Sequence, residues 1–304
     1  MKRDFLSMED LSRPELEHLL DAADEVKADR ERWRSRLQGK QVALIFEKPS
    51  TRTRVSFEAG VSEMGGHAIV LRGDELQLDR GETIEDTGIV LSRYVDAIVL
   101  RTFGQDRVER LAEAASVPVV NALSDAAHPC QCLADLQTIR EKKGRLSGLD
   151  VAYLGDGNNV AHSLMLGGAK VGMDVRIACP KGYEPFPSVV DRAKQVAAEN
   201  GGRVSVTHVV AEAATRADVL YTDVWASMGQ ESEADARRRL FEPYQLNDDV
   251  VDLAAEDAIV LHCLPAHRGE EISASVMDGP RSVVFDQAEN RLHSQKALLA
   301  FLLS

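Results

Sequence analysis

Short, continuous apolar runs recur along this chain, and the intervals between them carry a helical period. Val42–Phe46, Ala68–Leu71, Ala97–Leu100 and Val117–Val120 are separated by helical patterns at Thr53–Met64, Ile84–Val95 and Val108–Ala115. Runs that are apolar throughout, rather than at alternate positions, suit strands covered on both faces, so the pattern predicts a parallel sheet with helices on either side. Ahead of it, Ser12-x-x-Glu15 reads as a capping box, followed by an apolar stripe of Leu16, Leu19, Leu20, Ala23 and Val26. A helical segment at Cys132–Arg140 leads into the charged, glycine-bearing stretch Glu141–Gly148, where the pattern breaks. A second series then begins: Val151–Leu154, Val175–Ala178, Val204–Thr207, Val219–Thr222 and Ile259–Leu261. A last helix is predicted over Gln287–Leu303, with Leu292, Leu298, Leu299 and Leu302 on its apolar side. The expectation is an α/β protein of two open parallel-sheet domains with helices on both faces, residues 1–145 and 146–304, and ligands in the interdomain cleft at the carboxyl ends of strands.

Length and composition agree with two ordinary globular domains. The 304 residues are 44% hydrophobic and 28% charged, so the chain needs neither disulfides nor a structural metal to build a core. With 36 basic and 49 acidic residues the formal charge is −13, which disfavours nucleic acid and anionic membrane as partners, since both need clustered Lys and Arg. A local basic pocket for a small anion stays open. Cys130, Cys132, Cys179 and Cys263 are too few and too irregular for a disulfide framework or a zinc site, and read as free thiols in a reducing cytoplasm. The first twenty residues lack the apolar core of a signal peptide, and no apolar run approaches the ~18 residues of a membrane helix.

Chemistry concentrates where predicted strands end. Ser50-Thr51-Arg52-Thr53-Arg54 follows a strand and opens a helix, so outward N–H groups, the helix dipole, hydroxyls and guanidiniums together make an anion cradle without glycine. His128-Pro129-Cys130-Gln131 places a histidine at the next such corner, with Pro129 suited to the first helical turn. Gly155-Asp156-Gly157-Asn158-Asn159 imitates a dinucleotide fingerprint, but the third glycine is missing and Cys179-Pro180 stands where an acidic residue would hold a ribose. Asn158 and Asn159 read instead as amide donors for a small carboxylate. Asp223, after the strand Val219–Thr222, can pair with an ammonium; Ser227 can fix polar substrate groups; Cys263 is a thiol at a strand terminus, equally a small buried hydrophobe.

Taken together, Ser50-Thr51-Arg52-Thr53-Arg54, His128-Pro129-Cys130-Gln131, Asp223-Val224-Trp225-Ala226-Ser227-Met228-Gly229 and His262-Cys263-Leu264-Pro265 resemble the ornithine carbamoyltransferases in order and spacing across essentially the whole chain. Aspartate carbamoyltransferases share the first two motifs; the last two point to ornithine. The resemblance implies that residues 1–145 bind carbamoyl phosphate, that 146–304 bind L-ornithine, and that the last helix packs back on the first domain. It implies that Ser50, Thr51, Arg52, Thr53 and Arg101 hold the phosphate, that Arg52, Thr53 and His128 polarise the carbamoyl carbonyl with Gln131 on its nitrogen, and that Arg291 reaches the same substrate. Asn159, Asp223, Ser227 and the Met228 backbone would hold ornithine, while Cys263 and Leu264 line the place of attack, with Asp223 and Cys263 steering the proton. It also implies a trimer-based assembly, with Gln77 donated by a neighbouring subunit, and neither metal nor organic cofactor. Three readings compete with ornithine transfer: transfer to putrescine or an N-acylornithine, a nicotinamide-dependent oxidoreductase, and an anion-binding protein without turnover.

Overall fold

The computed structural model describes residues 2–76, 81–226 and 233–304. Nine strands are assigned there: β1 Gln41–Phe46, β2 His67–Arg72, β3 Ala97–Arg101, β4 Val119–Leu123, β5 Asp150–Leu154, β6 Asp174–Ala178, β7 Arg203–Thr207, β8 Val219–Thr222 and β9 Ile259–His262. The helices are α1 Arg13–Ala28, α2 Thr51–Glu63, α3 Ile84–Leu91, α4 Gln105–Ala114, α5 Pro129–Lys143, α6 Asn159–Lys170, α7 Pro187–Asn200, α8 Val210–Ala214, α9 Ala234–Phe241, α10 Asp248–Leu253, α11 Ala274–Met277 and α12 Val284–Leu302. The chain divides into two compact units, one of Met1–Gln137 with Glu289–Ser304, the other of Thr138–Ala288.

The first unit holds a parallel sheet in the order β2-β1-β3-β4. Its inner strands are buried almost throughout, whereas β2 at the edge is only partly covered, which is why the inner runs read as continuously apolar. Ala43, Ile45, Ile98 and Leu100 pack one face against Ile84, Val108 and Leu111. The capping box of α1 is present, and all five residues of its predicted stripe are buried.

Two predicted boundaries move, for identifiable reasons. β4 runs to Leu123 rather than stopping at Val120, because its ladder with β3 continues to the pair Arg101–Leu123; the N-terminal segment also pairs with it at Val120. The Phe5 amide donates to Val119 O (2.8 Å), the Asn121 amide to Phe5 O (2.8 Å), and the Asn121 side-chain nitrogen to Leu6 O (2.9 Å). α3 ends at Leu91 rather than Val95, where the Ser92 hydroxyl turns back on Gly88 O (2.6 Å). A third expectation holds only in part: Leu298, Leu299 and Leu302 are buried as expected. α12 has no single apolar side: Leu292 is only partly buried, whereas Arg291, His293, Ser294, Gln295 and Lys296 are buried. Two of them find partners across the unit, Lys296 on Glu63 (2.8 Å) and Gln295 on Ser56 (2.6 Å).

The second unit holds a parallel sheet in the order β7-β6-β5-β8-β9. β5 is its first strand and lies centrally; the chain moves to one side for β6 and β7, then crosses to the other for β8 and β9. The gap between β5 and β8 is therefore a topological switch point, where open α/β sheets bind ligands. Ala152, Leu154, Leu220, Val260 and Val284 belong to its core.

Glycine is required at one turn of this sheet for contact rather than torsion. A Cβ on Gly157 would lie 2.2 Å from Pro185 N and 2.5 Å from Glu184 C, both backbone. The Gly157 amide also donates to Tyr183 O (2.9 Å). The close approach that a dinucleotide fingerprint reserves for pyrophosphate is thus filled by the protein's own Glu184-Pro185 segment. Gly157→Ala should cost about 1–3 kcal/mol through overpacking, read as a lower denaturant midpoint with an unchanged slope.

Candidate active site

In the first unit, register does the assembling. Phe46 pairs with Arg101 across β1 and β3, so the Ser50 turn and Arg101 emerge beside each other at the carboxyl end of the sheet. Ser50 is the N-cap of α2, its Oγ accepting from the Thr53 amide (3.2 Å). His128 immediately precedes α5, whose first residue is Pro129, as the missing proline donor favours. From α12, Arg291 reaches both elements: Nη2 donates to Thr53 Oγ1 (3.0 Å) and Nη1 to Gln131 Oε1 (2.6 Å). Gln131 Nε2 donates in turn to Asp135 (2.8 Å). Thr53, His128, Gln131 and Arg291 are all buried, Arg52 and Arg101 partly so, and Thr51 is exposed.

The electrostatics of this cluster are shaped by burial and by its arginines. Burial, and then the positive charges of Arg291, Arg101 and Arg52, hold the His128 imidazole well below its ordinary pKa. It is neutral at pH 7, and one of its ring nitrogens carries a hydrogen it can donate. Arg54 does not join the group. Its side chain is exposed and lies along α2 toward Glu58 (3.5 Å), one turn on.

In the second unit, Leu154 pairs with Thr222 and Thr222 with His262, so the residues after β5, β8 and β9 converge at the switch point. Asn158 caps α6, its Oδ1 accepting from the amides of Val160 (2.9 Å) and Ala161 (3.2 Å). Its Nδ2 donates to Asp223 Oδ2 (2.9 Å), and Cys263 Sγ donates to Asp223 Oδ1 (2.9 Å). The carboxylate that Asn158 meets is therefore the protein's own. Asn159 is the first residue of α6 and half-buried. Leu264 packs on the core of this unit in a left-handed conformation (φ 60°), its amide donating to His262 Nδ1 (2.9 Å). Gln77, Ser227 and Met228 lie outside the described residues.

Several contributors carry no sequence signal. The buried Tyr153 hydroxyl donates to Asn158 Oδ1 (3.2 Å); burial and the nearby Asp223, Cys263 and Asp156 push its pKa well up, so it stays protonated. Arg237, from α9, is buried and donates to Asp156 Oδ2 (2.7 Å) and Trp225 O (2.9 Å), while its guanidinium stacks over Tyr183. Breaking such a buried pair from one side costs about 3–5 kcal/mol. His262 is pinned through Nε2 by the buried Glu271 (3.0 Å), and only the Glu270-Glu271 pair after the His-Cys-Leu-Pro motif hinted at an acidic partner.

Among the described residues, two groups bring metal-type donors within 4.8 Å of one another: Asp223, His262 and Cys263, and His267, Glu270 and Glu271. In the first, Asp223 is engaged by Asn158 and Cys263 and His262 by Leu264 and Glu271. In the second, Arg238 holds Glu270 (2.9 Å) and His262 holds Glu271. A cation at either place would have to displace these bonds. No described helix is long and apolar enough to cross a membrane.

Comparison with known proteins agrees along the whole chain. Residues 3–141 match the family profile "Aspartate/ornithine carbamoyltransferase, carbamoyl-P binding domain" and residues 147–302 match "Aspartate/ornithine carbamoyltransferase, Asp/Orn binding domain". A protein of Parafrankia sp. (strain EAN1pec) called ornithine carbamoyltransferase is 64% identical over 304 residues, covering 99% of this chain and 96% of its own. One of Pyrococcus furiosus, called "Ornithine carbamoyltransferase, anabolic", is 54% identical over 303 residues, covering 99% and 96%. The solved structure of ornithine carbamoyltransferase from Pyrococcus furiosus superposes with a TM-score of 0.95 at 55% identity, covering 98% of this chain and 96% of that one. With both halves matched and that degree of identity, the chain belongs to the aspartate/ornithine carbamoyltransferase family.

Proposed function

We propose that this protein is an ornithine carbamoyltransferase, moving the carbamoyl group of carbamoyl phosphate to the δ-amine of L-ornithine to give L-citrulline and phosphate. The observation that carries the reading is the group formed by the Ser50-capped turn, Arg52, Arg101, Arg291 and a neutral, buried His128 in the unit matched by the carbamoyl-P binding domain. In this reading the α2 amides with Ser50, Thr51, Arg52, Thr53 and Arg101 hold the phosphate. Arg52, Thr53 and His128 face the carbonyl oxygen, and Gln131 the carbamoyl nitrogen. Asn159, Asp223, Ser227 and Met228 hold ornithine, with Cys263 and Leu264 beside the reacting amine and Gln77 supplied by the neighbour in a homotrimer. The setting is cytoplasmic arginine biosynthesis, a direction supported by the name of the Pyrococcus furiosus relative.

The neutral δ-amine attacks the carbamoyl carbon and forms a C–N bond; the carbonyl electrons move to oxygen, then return as the C–O bond to phosphate breaks. Phosphate leaves with the bonding pair, and the amine's surplus proton is lost toward Asp223 and Cys263. Donors preset around the developing oxyanion are usually the largest catalytic contribution. A neutral His128 serves better here than a charged one, because three guanidiniums already stand nearby. The δ-amine resembles that of Lys, so freeing it at pH 7 costs about 4–5 kcal/mol. Catalysis by the chain's own residues needs neither a metal nor an organic cofactor. Gly157 disfavours the oxidoreductase reading, since Glu184-Pro185 fills the space a pyrophosphate would need.

Purified protein should therefore form citrulline and phosphate from carbamoyl phosphate and ornithine, faster as pH rises from 7. A panel of ornithine, putrescine, N-acetylornithine and aspartate in one ureido colour assay tests the acceptor, with ornithine expected to dominate. Arg52→Ala should lower kcat by about 10²-fold or more with folding intact; near-normal turnover would remove Arg52 from the mechanism. His128 gives a stability signature. Its folded pKa lies below the unfolded value of about 6.5, so its contribution is complete above that pH and is lost as pH falls. Between pH 7 and 5 the parent should lose up to about 1.4 kcal/mol per pH unit more than His128→Asn does, measured by denaturant titration.

A further inference from the structure

Asn158 is a helix cap by position, but its bonds reach further than capping requires. Its Oδ1 takes three donors: the Val160 amide (2.9 Å), the Ala161 amide (3.2 Å) and the Tyr153 hydroxyl (3.2 Å). Reversing the amide would aim an NH₂ group at all three, so only one orientation is possible. In that orientation Nδ2 faces Asp223 Oδ2 at 2.9 Å. Asp223 is 6% exposed, and its other oxygen accepts from Cys263 Sγ at 2.9 Å. The N-terminus of α6 thus fixes the amide, the amide fixes one carboxylate oxygen, and the other oxygen is left facing the thiol.

We propose that Asn158 is a positioning residue for the transfer reaction: it sets the plane of the Asp223 carboxylate and the oxygen that Asp223 presents beside Cys263, where the amine substrate is recognised. The inference rests on the ornithine carbamoyltransferase reading. It differs from a purely structural role in a way substitution can expose. As N-caps, Asn, Asp and Ser are nearly equivalent, so a residue that only caps tolerates both replacements. Asn158→Ser keeps a capping oxygen and removes the donor to Asp223. Asn158→Asp keeps the shape and the cap but sets a carboxylate oxygen against Asp223 Oδ2, and like charges at that distance oppose each other.

The experiment compares the full-length parent and both variants for the KM and kcat of ornithine, the KM of carbamoyl phosphate, and Tm, at pH 8. Losing one charge-assisted hydrogen bond predicts a fall of about 10- to 100-fold in kcat/KM for ornithine in Asn158→Ser. A larger fall is expected in Asn158→Asp, with the KM of carbamoyl phosphate within twofold and Tm within a few degrees. If both variants stay within threefold of the parent for ornithine, Asn158 is a cap and the proposal is overturned. Equal losses for both substrates together with a depressed Tm overturn it as well. Should Asn158→Asp fail to fold, Asn158→Ser decides by the same criterion. A parent that makes no citrulline at all instead overturns the reading of the enzyme's function, which that control separates from a failure of this inference.

Discussion

Parallel strand pairing, with each ladder in a definite register, is the constraint on which the chemistry of this protein depends. A parallel ladder ends all its strands at the same edge, so side chains that follow different strands are brought together without any contact between them being encoded locally. Phe46 opposite Arg101 places the Ser50 turn beside a second guanidinium, and Leu154, Thr222 and His262 in one line place Asn158, Asp223 and Cys263 in one group. A slip of one residue in either ladder would turn the paired strand residues to the opposite face and displace the segments that follow them.

Each sheet then opens its chemistry with the same local device, an oxygen side chain capping the helix after its first strand. Ser50 caps α2 and Asn158 caps α6. The surroundings make the two caps different. In the first unit three arginines and the amides of a helix N-terminus make a positive surrounding, in which a buried imidazole stays neutral. In the second unit the same kind of turn faces a carboxylate, a thiol and a buried phenol, which suits a cationic amine. The overall charge of −13 describes neither group, because it is carried mainly by solvated surface residues such as Glu17, Glu31 and Asp235.

Buried polar side chains account for most of what surface-minded patterning misreads. From Asn290 onward α12, and the first turns of α5, are covered nearly all round, yet they carry Gln131, Asp135, Arg291, Gln295 and Lys296. A helix of this kind has no hydrophobic stripe to detect, since many of its polar positions face protein rather than water. Arg237 belongs to the same class: it is far in sequence from Asp156, which it holds, and stands in no pattern that marks it. Arg54 shows the converse. It sits in the sequence among the residues proposed to hold the phosphate, but the helix turns it outward to Glu58, because i and i+4 share a face.

The α/β class, the nine strands, the capped first helix and the strand-end segments that carry chemistry were all set by local sequence, because apolar run length, helical period and capping side chains act over a few residues. Tertiary structure decided what those segments do with one another. It extended β4 through its ladder with β3, gave the close approach at Gly157 to Pro185, and turned Asn158 from a donor for a ligand into the partner of Asp223. The reason is common to all three. A hydrogen-bonding group is assigned by whichever buried partner lies within about 3 Å, and residues dozens of positions apart come that close only when the sheets have formed.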